Sequence, residues 1–190
     1  FKFTSAGQSC IAPSRFYIHR SRYAEFTEKF AAAAGALKVG NGLEQGIQMG
    51  PVANARRLAA MQRLTEDARA RGAELATGGK RYAAPGFFWS PTVMLQVPDS
   101  ADVMNEEPFG PIAPMAPFDE VEEAIARGNR VAYGFAAYIY TQSSSVAAKF
   151  VTAFPARRWA RCAICTASTE RLQPFSTAAC IYHARAARSF

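Results

Sequence analysis

Apolar residues recur along this chain in two rhythms. Tyr23, Phe26, Phe30, Ala33, Ala34 and Leu37 fall three or four residues apart. That spacing predicts an amphipathic helix reaching about Leu37, with Ser21 placed to cap its start. Leu58, Met61, Leu64 and Ala68 make a second stripe, predicting a helix that begins near Asn54 and stops at Gly72, a glycine suited to the turn past a helix end. Asp119 followed three residues later by Glu122 forms a capping pattern and predicts a helix over 120–129. Ser143 opens a last helix, with Val146, Phe150 and Val151 on one face.

Between these stripes lie short runs rich in aromatic and β-branched residues. Arg15 to His19, Ala73 to Thr77, Phe87 to Trp89, Thr92 to Leu95, Ile112 to Phe118 and Phe135 to Tyr140 read as strands. Residues 1–14 and the glycine-punctuated segment 39–51 read as loops, and Gly78-Gly79-Lys80 as a turn. Strands alternating with helices of 10–17 residues predict an α/β domain with a largely parallel sheet flanked by helices. From about Phe154 the rhythm stops. The segment 155–190 is rich in Arg, Ala, Ser and Thr, with too few regularly placed apolar residues to bury a face. We therefore divide the chain into a domain over 1–154 and an irregular basic tail over 155–190.

Composition changes this picture little, and charge sharpens it. The 190 residues are 49% hydrophobic and 19% charged, ordinary for a globular protein. No run of about 18 apolar residues offers a membrane span, and no apolar segment follows Lys2 as in a secretory leader. Four cysteines are too few for a disulfide scaffold, so a reducing cytoplasm is the expected setting. The net charge of +7 is uneven. The tail holds Arg157, Arg158, Arg161, Arg171, Arg185 and Arg188 against Glu170, 6 − 1 = +5, which leaves 7 − 5 = +2 for the first 154 residues. That balance argues against a nucleic-acid-binding domain.

Two strings carry candidate chemistry. In Ala6-Gly7-Gln8-Ser9-Cys10, small neighbours would let a carbonyl approach the thiol, and the Cys10 N–H would face the oxyanion formed on attack. A plain buried cysteine is the alternative. Asn105-Glu106-Glu107-Pro108-Phe109-Gly110-Pro111 sets a carboxylate two residues before an aromatic. A carboxylate accepts from ribose hydroxyls while a ring packs beside a planar group; a solvated acidic turn that buries Phe109 is the alternative. The tail adds a rival site, Cys162-x2-Cys165 and Cys180-x2-His183, spaced like the ligand pairs of small zinc sites. The second reading of the chain is thus a non-catalytic α/β module with a zinc-binding or nucleic-acid-binding basic tail.

Both strings occur in order with Lys38-Val39-Gly40-Asn41-Gly42, Gly50-Pro51, Gly78-Gly79-Lys80, Phe88-Trp89-Ser90-Pro91-Thr92 and Tyr133-Gly134-Phe135-Ala136-Ala137-Tyr138. This set resembles the catalytic half of the NAD(P)-dependent aldehyde dehydrogenase superfamily, in the flavour of the succinate-semialdehyde and related bacterial enzymes, over residues 1 to about 153. The resemblance implies an oxidoreductase that turns an aldehyde into a carboxylic acid with NAD or NADP. Cys10 matches the thiol that forms the thiohemiacetal and then the thioester. Glu107 matches the acid that binds the nicotinamide ribose, and Phe109 the aromatic near that end of the cofactor. The implied partners are a small aldehyde and further copies of the full-length protein, with no nucleic acid and no membrane.

Departures from the pattern set further expectations. The family's cofactor-binding half, oxyanion asparagine and general-base glutamate belong upstream of the thiol, so this chain alone is expected to be inactive. Thr4 stands where the succinate-semialdehyde enzymes carry an arginine for the substrate carboxylate, which argues against that substrate. Ala12 stands where some carry a redox-switch cysteine. Beyond Ala153 only Pro174-Phe175 echoes the family, and the arginine-rich, lysine-free tail reads like translation in a shifted frame.

Overall fold

The computed structural model describes residues 1–83, 85–132 and 134–154, together with the backbone strands Ala163–Cys165 and Cys180–Ala184. The sheet begins with β1 (Arg15–His19), whose first four residues are buried. A strand covered on both faces loses the polar alternation of an exposed one, which is why Arg-Phe-Tyr-Ile shows none. β1 runs directly into α1 (Arg20–Gly35). Ser21 is not the cap expected from the sequence. His19 occupies that position, and its ring accepts from the Ser21 N–H at 3.3 Å. With no linker between strand and helix, the last strand residue becomes the cap. The helix ends at Gly35, two residues before Leu37.

α2 (Ala55–Ala70) starts where Asn54 Oδ1 accepts from the Arg57 N–H at 2.9 Å. It buries Leu58, Met61, Leu64 and Ala68, the stripe seen in the sequence, and Thr65 besides. β2 (Glu74–Thr77) pairs antiparallel with β3 (Thr92–Leu95). Between them, Thr92 Oγ1 accepts from the Gly79 N–H at 2.9 Å and from Trp89 Nε1 at 3.0 Å. The Gly-Gly turn and the Trp-Ser-Pro-Thr run are therefore one cluster. The strand expected over Phe87–Trp89 is reduced to a single bridge, Arg81 to Trp89.

A four-residue helix absent from the sequence reading, α3 (Asp102–Asn105), precedes β4 (Ile112–Phe118). α4 (Val121–Asn129) begins at Glu120 without a side-chain cap. The Asp119–Glu122 capping box does not form because Arg20 takes the Asp119 carboxylate in two bonds of 2.6 and 2.8 Å. Arg127 on α4 holds Asp99 at 2.9 Å and the Pro117 carbonyl at 2.7 Å, and it lies 4.7 Å from the Tyr17 ring centre. β5 (Ala136–Tyr140) leads to α5 (Ser144–Ala153), capped as expected by Ser143. On α5, Phe150 is buried while Val151 of the same expected face is 44% exposed.

The segment 155–190 contributes β6 (Ala163–Cys165) and β7 (Cys180–Ala184). The remainder of that segment lies outside the described residues. The strand order is β2-β3-β4-β1-β7-β5-β6. Parallel pairs join β3 to β4, β4 to β1 and β5 to β6, while β2 and β7 run against their neighbours. Five of these seven strands thus share one direction, as the largely parallel reading required. The sheet carries the apolar core, with Phe16, Tyr17, Ile18, Val93, Ile112, Met115 and Phe118 almost wholly enclosed.

Candidate active site

Cys10 sits on the loop that enters β1. The preceding turn, Thr4–Gly7, places Ser5 and Ala6 at φ of 52° and 54°, a left-handed conformation that costs non-glycine residues energy. Ser9 then closes a turn on Ala12, whose N–H donates to the Ser9 carbonyl at 3.0 Å. Cys10 at the crest is a free, half-buried thiol. Among the described residues no protein acceptor takes its backbone N–H. On the far side, the Tyr138 hydroxyl donates to the Ile11 carbonyl at 3.2 Å, fixing the loop to β5. Arg15, the basic residue that follows the thiol, is fully buried in β1, its guanidinium 6.0 Å from the Tyr17 ring centre.

The second string, about a hundred residues away in sequence, lies directly against this loop. Gly7 has φ +70°, and a Cβ built there would fall onto the Gly110 carbonyl oxygen, 2.6 Å from the Gly110 carbonyl carbon and 3.1 Å from the Lys2 carbonyl oxygen. The two loops therefore touch backbone to backbone. The acids of the second string have separate surroundings. Glu106 is tied to Arg63 at 2.6 Å. Glu107 is half-buried, and its charge acts on the Lys2 ammonium. Phe109 is half-buried at φ +39°, with the Arg57 guanidinium 5.9 Å from its ring centre. Asn105 and Glu106 of the same turn are exposed, while Glu107 and Phe109 are both partly withdrawn from solvent.

Lys2 was not singled out from the sequence. It is 4% exposed, and burial lowers its pKa from the usual 10.5 to about 7, against the opposing pull of Glu107. An unfolded chain keeps the lysine proton to pH 10.5 while the folded one gives it up near 7. Between those values the unfolded state holds more protons, so stability climbs with pH. At about 1.4 kcal/mol per pH unit the climb approaches roughly 5 kcal/mol. Lys2→Met is expected to be more stable than the parent at pH 7, with the advantage shrinking toward pH 10. Urea unfolding at both pH values measures this, and a constant difference would contradict it. Arg57 also escaped notice, since its partners are remote in sequence.

Two cavities, of about 260 and 130 Å³, share Phe1 and Lys2 in their linings. Thr4 lines the larger with Phe30, Leu37 and Gln48, and Tyr138 and Tyr140 line the smaller. Neither is lined by Cys10, Glu107 or Phe109. Among the described residues no group of metal-ligating side chains forms a site, and the side chains of Cys162, Cys165, Cys180 and His183 lie outside those residues. No described helix is long and apolar enough to cross a membrane.

Comparison with known proteins gives a consistent answer. The model of the aldehyde dehydrogenase family matches residues 1–175. The chain is 46% identical over 143 residues to 4-(hydroxymethyl)benzenesulfonate dehydrogenase TsaD1 of Comamonas testosteroni, covering 75% of this chain and 29% of that protein. It is 40% identical over 144 residues to glutarate-semialdehyde dehydrogenase of Pseudomonas putida, covering 76% of this chain and 30% of that protein. The fold superimposes on the crystal structure of succinate-semialdehyde dehydrogenase from Burkholderia pseudomallei with a TM-score of 0.82 and 37% identity, over 86% of this chain and 33% of that one. The chain thus spans about 30% of the length of the curated relatives it matches.

Proposed function

The chain belongs to the aldehyde dehydrogenase family, and from that premise we propose that the whole protein oxidises a small aldehyde to a carboxylic acid with NAD or NADP, through a covalent intermediate on Cys10. One observation carries the site assignment: the backbone contact of Gly7 with Gly110, which sets the thiol loop beside the loop of Glu107 and Phe109. A half-buried carboxylate and an aromatic ring two residues on fit the ribose hydroxyls and the flat face of a nicotinamide nucleoside. Glu107 and Phe109 would hold that end of the cofactor, which when bound accepts the hydride.

Cys10 carries the covalent steps, and the base that takes up protons is expected among the family's residues upstream of the thiol. The Cys10 thiolate adds to the aldehyde carbon, forming a C–S bond, and the carbonyl electron pair becomes an oxyanion. The Cys10 N–H, with no other acceptor among the described residues, is free to donate to that oxyanion. Loss of hydride from the same carbon restores the carbonyl as a thioester. Water then adds with its proton taken by that base, the C–S bond breaks, and the carboxylic acid leaves with the thiolate regenerated. Thr4 offers a hydroxyl in place of a cation, so a free carboxylate on the substrate is not expected to improve turnover.

Iodoacetamide tests the reading. A protein carrying this chain should reduce NAD or NADP only in the presence of an aldehyde. Alkylation at neutral pH should stop that reduction in proportion to the label found on the Cys10 peptide by mass spectrometry. Turnover that survives full labelling of Cys10 would contradict the assignment.

A further inference from the structure

Besides the contact of Gly7 with Gly110, a strut made by two side chains links the loop of Cys10 to the loop of Glu107 and Phe109. Gln8 spans its own turn and the next segment. Its Nε2 donates to the Ser5 carbonyl at 3.2 Å, while its Oε1 accepts from the Ala53 N–H at 2.8 Å. Ala53 directly precedes Asn54, whose side chain caps α2 by accepting from the Arg57 N–H. The Arg57 guanidinium then reaches forward. Nη1 donates to the Pro108 carbonyl at 3.1 Å, and the flat cation lies against Phe109.

Each link makes sense only with the next. Phe109 holds a left-handed backbone, φ +39°, which persists in a non-glycine residue only where its surroundings fix it. Pro108 is buried and has no N–H, so its carbonyl is the polar group by which this residue can be held. Arg57 supplies a donor to that carbonyl and a cation to the neighbouring ring. Its own position is fixed by the first turn of α2, and the segment before that turn is pinned by Gln8.

We propose that Gln8 and Arg57 are positioning residues which, through residues 53–57, set the distance between the Cys10 sulfur and whatever Glu107 and Phe109 hold. The proposal rests on the reading of Cys10 as nucleophile and Glu107 as cofactor ligand, because only then does that distance govern a rate. Misplacement by about an ångström can cost on the order of a hundredfold in rate, so such a strut would act on kcat more than on aldehyde KM.

Backbone hydrogen exchange on the chain tests the strut without any turnover. The reporters are the Thr92 and Ile112 amides, which donate to the Pro111 and Gly110 carbonyls at 2.9 Å each. Gln8→Ala is expected to speed their exchange at least about fivefold. Gln8→Glu keeps an acceptor for the Ala53 N–H and is expected to return their exchange to the parent value, although it loses the donor to Ser5. Arg57→Ala should speed the same amides, Arg57→Lys should restore part of the protection, and the double variant should exceed neither single by much. Unchanged exchange at Thr92 and Ile112 in Gln8→Ala, or equal loosening in Gln8→Glu, would overturn the proposal.

In an aldehyde-oxidising protein carrying this chain, the alanine variants should lower kcat by about tenfold or more with little change in aldehyde KM. Equal kcat in parent and variants would overturn the claim that the strut sets the reacting distance. If the parent oxidises no aldehyde, the functional reading fails, and the exchange experiment still decides whether the strut exists.

Discussion

Cys10→Ala is expected to bring aldehyde oxidation to background, a fall of at least roughly a thousandfold in kcat/KM. The size of the effect follows from the role. Removing a covalent nucleophile leaves no bond through which the aldehyde carbon can be held while hydride departs, and no other thiol occupies the crest of that loop. Cys10→Ser tests the same point from the other side. It keeps the size and the backbone N–H but replaces a thiol by a hydroxyl, a far poorer nucleophile, so it too should be close to inactive. Cys162→Ala, Cys165→Ala and Cys180→Ala are the controls and should retain the parent rate. Cofactor reduction that persists in Cys10→Ala would remove the assignment altogether.

Gly7→Ala is expected to damage the fold and the site together. The residue holds φ +70°, and the added methyl would overlap the Gly110 carbonyl, with the Lys2 carbonyl oxygen 3.1 Å away on another side. These neighbours are backbone atoms and cannot rotate aside. A left-handed alanine costs about 1 kcal/mol and forced overpacking a further 1–3 kcal/mol, so a loss of about 2–4 kcal/mol should appear in urea unfolding. Whatever stability remains requires the loop of residues 105–111 to retreat, which parts Cys10 from Glu107. Gly42 is the matched control, because a Cβ there meets nothing within 4 Å. If Gly7→Ala and Gly42→Ala unfold at the same urea concentration, the contact between the two loops is not the one described.

Features written in neighbouring residues were legible in the sequence. The α2 stripe, its Asn54 cap, Gly72 beyond its end and the Ser143 cap of α5 involve partners three or four residues apart, so the pattern contains the interaction. What the sequence misassigned was decided by remote partners. Asp119 reads as a helix cap until Arg20, 99 residues away, takes its carboxylate. Glu107 stood out in the sequence by its place two residues before Phe109, but only the fold shows that Glu106 pairs with Arg63 and that the Glu107 charge acts on Lys2. Lys2 and Arg57 carried no signal at all, since a buried lysine and a loop-holding arginine look like any surface cation until their neighbours are known. The basic tail read as irregular because its apolar residues lack a period, yet β6 pairs with β5 and β7 with both β5 and the distant β1.

Those late pairings bear on how the molecule is assembled. β1 meets β4 through Phe16 and Met115, 115 − 16 = 99 residues on, and meets β7 through Phe16 and Tyr182, 182 − 16 = 166 residues on. Contacts so distant along the chain slow folding, and β1 must wait on the ribosome for neighbours made about a hundred residues or more after it. Until β4 arrives, the turn before β1 has no Gly110 to rest against, and Cys10 is an ordinary cysteine open to oxidants. A nascent chain stalled before β4 should therefore react with thiol reagents as an unfolded peptide does.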